Sequence, residues 1–445
     1  MVTDMTTGAP AKQLLLFAVP LMIGNLFQQL YNLVDSVIVG RCIGSDALAA
    51  VGAAGSVTNL MYTLFMGFSI GAGIVIAQYF GKKDKENLCE IIFAFYENVF
   101  IITVIVSVFG AAFAEKIMKV MQVPSNVMIQ AVIYLRICCG GLIATSFYNV
   151  ASTILRNIGD AKTPLISIII SALINIVLNL LFVLKFQMGV AGVAYGTVLA
   201  QCASTFICTG ILIKNRMQLG LTAKKFMCSK VAFGKILRAA LPSAIQYSLI
   251  SFGGMSVQSL VNLFGTATMA AYAAVQKIDM LAIQAIASMG NALSVFIGQN
   301  IPEKNESRMK DALQKTLMIM IAIGTLLMLG ITFFNRPLLT MFLDPKIAVL
   351  EIKIGSTYLK IMGIAYMIAG IMNSYLNFIR GAGDMNASLV AGVIEILSRI
   401  IFAYFSVGLI GVIGIWIATP FSWGCACIYS IYRYWTGKWK EKSFV

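Results

Sequence analysis

Asn25, Gln28, Asn32 and Asp35 lie three, four and three residues apart inside the first long apolar stretch of the chain. That spacing puts them on one face of a helix. Gln29 borders the stripe, and Leu26, Phe27, Leu30, Leu33, Val34 and Val37 make up the opposite side. A polar stripe on an apolar span belongs against protein or a water-filled cavity, because lipid satisfies no hydrogen bonds. Asp35 is the only acid in the stretch and can bind a proton or Na⁺; the plainer reading is a residue at the outer membrane interface. Further along, Asn175 and Asn179 share a helix face one turn apart, with Tyr148 and Asn149 in the preceding stretch and Thr197 and Gln201 in the following one. These can line a cavity beside the first helix, or they can bond helices to one another. Lys277 and Asp279 need separate partners, since residues two apart do not share a face, and Lys277 is a candidate partner for Asp35 across a cavity. Glu395 and Arg399 are spaced to satisfy each other, and Glu97 and Arg136 are a second candidate pair. Pro20, upstream of the stripe, removes a helix hydrogen bond and is a candidate hinge.

The elements that must position these residues are membrane helices. The chain has 445 residues, 59% of them apolar and only 11% charged, against about 25% charged in an average soluble protein. Twelve apolar runs are long enough to span about 30 Å of hydrocarbon: 14–39, 47–80, 91–114, 127–151, 164–184, 190–213, 236–264, 269–300, 314–335, 349–379, 385–408 and 411–432. The first is too long for a signal peptide. With a cytoplasmic N-terminus, 22 of the 33 lysines and arginines fall in cytoplasmic segments and 7 in outer ones, as the positive-inside rule requires. Both termini are then cytoplasmic, and the net charge of +15 reflects topology and contact with anionic lipid rather than nucleic acid. There is no histidine and the nine cysteines form no zinc pattern, so they read as small packing residues.

The chain repeats itself at about half its length. Pro20 matches Pro242, Gly44 matches Gly265, Gln78 matches Gln299, Arg156…Asp160 matches Arg380…Asp384, and Gly189 to Gly192 matches Gly411 to Gly414, at offsets of 221 to 224. Each half holds six spans, an even number, so the halves share one orientation, as in parallel-repeat secondary transporters. The expected organisation is an N-lobe, 1–213, a basic cytoplasmic linker, 214–235, and a C-lobe, 236–445. Two similar bundles around a cavity suit alternating access. No phosphate-binding loop and no nucleophile–base arrangement occurs, so an enzyme or an ATP-driven pump is not expected.

The stretch Gln28-Gln29-Leu30-Tyr31-Asn32-Leu33-Val34-Asp35, with Ala47 to Gly52, Gly71…Gln78-Tyr79-Phe80-Gly81, Arg156…Gly159-Asp160 and the duplicated halves, resembles the multidrug and toxic compound extrusion family over nearly the whole chain. The resemblance implies an all-α polytopic protein of twelve transmembrane helices in two six-helix bundles. It also implies a proton- or sodium-driven antiporter that exports lipophilic cations, with Asp35 in the coupling site and Asn175 and Thr197 beside it. Asn179 is a departure, since many relatives carry aspartate there. Acids that one branch uses in its seventh and tenth helices are missing, which points to coupling through the N-lobe. The expected ion-coupling set is Asp35, Asn175, Asn179 and Thr197. The expected cavity set is Asn25, Gln28, Asn32, Tyr148, Asn149, Gln201 and Lys277. Beyond H⁺ or Na⁺ no cofactor is expected, and Asp35 is the one place for Na⁺. The expected protein is a monomer in the plasma (inner) membrane. Its rivals are a flippase for a lipid-linked envelope precursor and a non-transporting membrane scaffold.

Overall fold

A computed structural model describes residues 4–215 and 229–445. Most of the expected linker, 214–235, lies outside the described residues. Among these residues there are thirteen α-helices and no strand. In the first half they are α1 (Pro10–Cys42), α2 (Ser45–Gly81), α3 (Lys85–Ala112), α4 (Ala114–Val120), α5 (Ser125–Asn157), α6 (Lys162–Leu180) and α7 (Gly189–Lys214). In the second half they are α8 (Lys230–Asn262), α9 (Thr266–Asn300), α10 (Glu306–Thr340), α11 (Val349–Gly381), α12 (Met385–Ile410) and α13 (Val412–Trp435). Each expected span coincides with one long helix. Only the seven-residue α4, in the connection after α3, has no counterpart among the expected spans. Eleven helices are long and apolar enough to cross a membrane. The other long one, α8, has 33 residues, but it opens with Lys230, Lys235 and Arg238 and continues through Ser243, Gln246, Ser248 and Ser251.

The turns carry the duplication down to the backbone. Gly159 and Gly383 have φ of 90° and 102°, Gly44 and Gly265 124° and 86°, and Gly189 and Gly411 57° and 62°. These are the repeat-matched pairs, in a region where a Cβ is disfavoured. Lys83 and Lys304, also matched, share left-handed φ of 61° and 53°. The residue after each caps a helix: Asp84 accepts from the Asn87 N–H and Asn305 from the Arg308 N–H. Asp384 caps α12 in the same way, and Asp160, just before the start of α6, accepts from the Lys162 and Thr163 N–H groups. Helix pairing is duplicated too. In the first half α5 packs on α2, α3 and α7, and in the second α11 packs on α9, α10 and α13.

Two compact units result, and they depart from chain order at two helices. The first contains Ile23–Ala244, and the second contains Met5–Met22 with Ile245–Val445. Each of α1 and α8 therefore contributes to both units, and each changes unit just after its proline, Pro20 or Pro242. Within the first unit the start of α8 lies backbone-to-backbone on α2. A Cβ at Gly67 would sit 2.8 Å from the Ser243 carbonyl oxygen, and one at Gly71 would collide with that of Ala239. Lys235 Nζ donates to Tyr79 Oη at 2.5 Å. Within the second unit Arg308 holds the start of the chain. Its guanidinium donates to the carbonyl oxygens of Met5, Thr7 and Gly8 and to Gln13 Oε1 and Asn300 Oδ1 at 2.6–3.0 Å.

Candidate ion-coupling site

The first unit brings the four expected coupling residues into one network. α6 presents Asn175 and Asn179, both fully buried, because i, i+4 spacing stacks them on one face. Asn179 Nδ2 donates to Asp35 Oδ1 at 2.6 Å and to Asn175 Oδ1 at 3.0 Å, and Asn175 Nδ2 reaches Thr197 Oγ1 at 3.3 Å. The Tyr31 and Thr197 hydroxyls also hydrogen-bond with the Asp35 carboxylate. Asp35 is thus half-buried and held by neutral donors. The α7 backbone makes room for this, since a Cβ at Gly196 would overlap Asn179 Oδ1. Directly after Asn179 the last turn of α6 widens into a π-helical segment, Leu181–Lys185. Such insertions often mark functional sites.

Next to this network the first unit has a small open pocket of about 20 Å³, room for about one water, lined by Gln28, Tyr31, Tyr148, Ser171, Gln201 and Ser204 together with Ile168 and Ala172. Three of the expected cavity residues are there. Gln28 Nε2 is also within 3.3 Å of Tyr62 Oη. The others are elsewhere. Asn149 turns back along α5 and donates to the Thr145 carbonyl at 3.0 Å, because its neighbour Tyr148 already takes the cavity-facing position. Asn32 is exposed, and Asn25 is half-buried away from the lining. Lys277 is exposed on α9 in the second unit and makes no ion pair among the described residues. Tyr31, Ser171, Ser204 and Gly196 were missed. Tyr31 was legible, being one turn before Asp35 on the same face.

In the second unit Glu395 and Arg399 pair as their spacing predicts, at 2.5 Å. Asp279 accepts from Tyr366 Oη at 2.8 Å. Glu97 and Arg136 form no ion pair among the described residues, and Glu115 of α4 pairs with Lys119 at 2.7 Å.

The family model described as MatE matches residues 20–181 and 242–405, once in each half. The chain belongs to the MatE family. A relative from Bacillus subtilis (strain 168), a probable multidrug resistance protein called YpnP, is 30% identical over 98% of this chain and 97% of its own. Two solved structures superpose with TM-scores of 0.91. One, 24% identical and covering 99% of both chains, is a multidrug resistance MATE family transporter in an outward-facing conformation. The other, 25% identical over 98% of both, is a transporter of the MOP superfamily from Pyrococcus furiosus, whose binding pocket is described as reversed in polarity and suggestive of a different function. MatE proteins are transporters rather than enzymes, and this one is a multi-pass membrane protein with the MatE fold.

Proposed function

We propose that this MatE protein is an alternating-access antiporter of the plasma (inner) membrane, exporting lipophilic, mostly cationic compounds in exchange for a coupling ion at Asp35. The observation that carries the reading is the Asp35–Asn179–Asn175–Thr197 network lying against a polar cavity in the same unit. A carboxylate held by neutral donors beside a cavity can gain and lose a positive charge without breaking an ion pair, and that charge can be exchanged for a cationic cargo. H⁺ is favoured over Na⁺, since an amide N–H of Asn179 already occupies Asp35 Oδ1. Pro20 is the proposed bending point of α1, and the protein is proposed to work as a monomer. A lipid-precursor flippase would need bases to hold a phosphate, and the lining of this cavity is neutral.

Ethidium efflux from energised cells expressing wild type or Asp35→Asn, with the proton and sodium gradients collapsed separately, tests the proposal. Efflux by the wild type only, stopped by one ionophore, supports it and names the ion. Equal efflux by both would sink the role of Asp35.

A further inference from the structure

Three of the four helices that line this pocket, α5, α6 and α7, carry polar side chains beyond it. On α5, Tyr148, Ser152 and Arg156 are spaced i, i+4, i+8 and form one stripe roughly 12 Å long, from the cavity to the α5–α6 turn. Tyr148 and Ser152 hydrogen-bond with each other, while Arg156 Nε at one end of the stripe and Gln201 Oε1 at the cavity end are buried with no hydrogen-bond partner among the described residues. Facing the stripe are Ser171 and Ser167 of α6 and Ser204 and Cys208 of α7. They are tied together by Ser171 Oγ to the Ala200 carbonyl at 2.8 Å, Ser167 Oγ to the Ser204 carbonyl at 3.2 Å and Cys208 Sγ to Ser167 Oγ at 3.2 Å. Buried polar atoms in native proteins are satisfied by protein or by ordered water in about nine cases in ten. Two orphaned atoms, one at each end of this stripe with a pair of hydroxyls between them, therefore call for a file of water.

The duplicate half does the opposite. The residues matching Tyr148 and Ser152 at the offset of 224 are Met372 and Leu376, both buried and apolar. Arg380, matching Arg156, is 3% exposed and engaged by Asn377 Oδ1, Gln246 Oε1 and Ser388 Oγ. Arg156 has no ion pair among the described residues. Of the charged and titratable groups around it, Asp160 accepts from the Lys162 and Thr163 N–H groups and from Thr163 Oγ1, while Tyr148 and Cys208 are neutral groups that feel the Arg156 charge.

We propose that the first unit contains a water file running from the Asp35 cavity along Tyr148 and Ser152 to Arg156, and that the Arg156 guanidinium closes it to protons and other cations while leaving it wet. A fixed positive charge in a narrow aqueous path excludes cations. An exchanger whose coupling acid opens onto water needs such a barrier, or its ion gradient drains without cargo. The proposal rests on the antiport reading, but the barrier is measured without cargo.

Reconstituted protein in liposomes, with a pH step, a potassium-clamped potential and a trapped pH dye, gives the passive proton leak. A unit charge acting over roughly 12 Å at an effective dielectric of about 20 amounts to about a tenfold effect, so Arg156→Gln is expected to leak about ten times faster than wild type. Arg156→Lys keeps the charge and is expected to stay tight. Arg156→Gln combined with Ser152→Leu, which copies the dry half, is expected to return to the wild-type leak. A tight Arg156→Gln, or a leak that survives Ser152→Leu, overturns the proposal. Radiolytic hydroxyl footprinting of the wild type, which labels side chains next to ordered water, is the second readout should Arg156→Gln fail to fold. Label is expected at Tyr148 but not at the intrinsically more reactive Met372, and an unlabelled Tyr148 overturns the proposal equally. Dye export by the same wild-type vesicles separates failure of the barrier from failure of the antiport reading.

Discussion

Gly196 does as much for the coupling site as Asn179 does, though it has no chemistry of its own. Its missing Cβ is the space that Asn179 Oδ1 fills. Gly196→Ala is expected to push the amide away from Asp35, at a cost of about 1–3 kcal/mol for overpacking. A lowered melting temperature in detergent and impaired dye efflux check this; a variant that melts and exports like wild type would show that Asn179 can move freely. Asn179→Ala, which removes the donor at 2.6 Å from Asp35, is expected to impair coupled efflux while leaving the protein folded. These residues also show what a sequence reveals at this scale. Asp35, Asn175, Asn179 and Thr197 were legible because a polar side chain in an apolar span stands out. Gly196, Ser171 and Ser204 were not, because glycine and serine are common packing residues in membrane helices. Asn149 lies outside the lining of this pocket because neighbouring polar residues on a helix point in different directions, and the pattern alone did not say whether Tyr148 or Asn149 faces it.

At the scale of the element, a cap and an ion pair meet at Asp384. Its carboxylate accepts from the Ala387 N–H, capping α12, and pairs with Arg433 of α13 at 2.6 Å with only 3% of its side chain exposed. Asp384→Asn is expected to leave Arg433 without its charge partner and to destabilise the second unit by roughly 3 kcal/mol, the usual loss when a buried pair is broken. Thermal melting in detergent measures it. The matching Asp160 accepts from the Lys162 and Thr163 N–H groups at the start of α6, and the first-half position matching Arg433 at the offset of 222 is Ile211. Helix existence and boundaries were readable from apolar run length and the turn residues. The passage of α1 and α8 from one unit to another was not, because it depends on which neighbours each half of a continuous helix meets. Only the paired prolines hinted at it.

At the scale of the whole molecule, one side chain organises the start of the chain. Arg308 donates to three backbone carbonyls between Met5 and Gly8 and to Gln13, while Asn300 Nδ2 donates to the Met5 carbonyl as well. Arg308→Ala is expected to release residues 5–13, seen as deuterium uptake in that peptide rising about tenfold in rate or more, since several charge-assisted hydrogen bonds of about 1.5 kcal/mol or more each are lost. Unchanged protection would mean that Met5, 1% exposed, anchors the segment by burial alone.

The membership of α8 has a consequence for biosynthesis. The face of α2 that carries Gly67 and Gly71 is completed by Ala239 to Ala244, which the ribosome makes only after all of α1 to α7. The first unit cannot close while its own six-helix half is all that has emerged; it waits for an arm from the second. The chain thus completes each unit with a helix end drawn from its other half, as a step along one molecule.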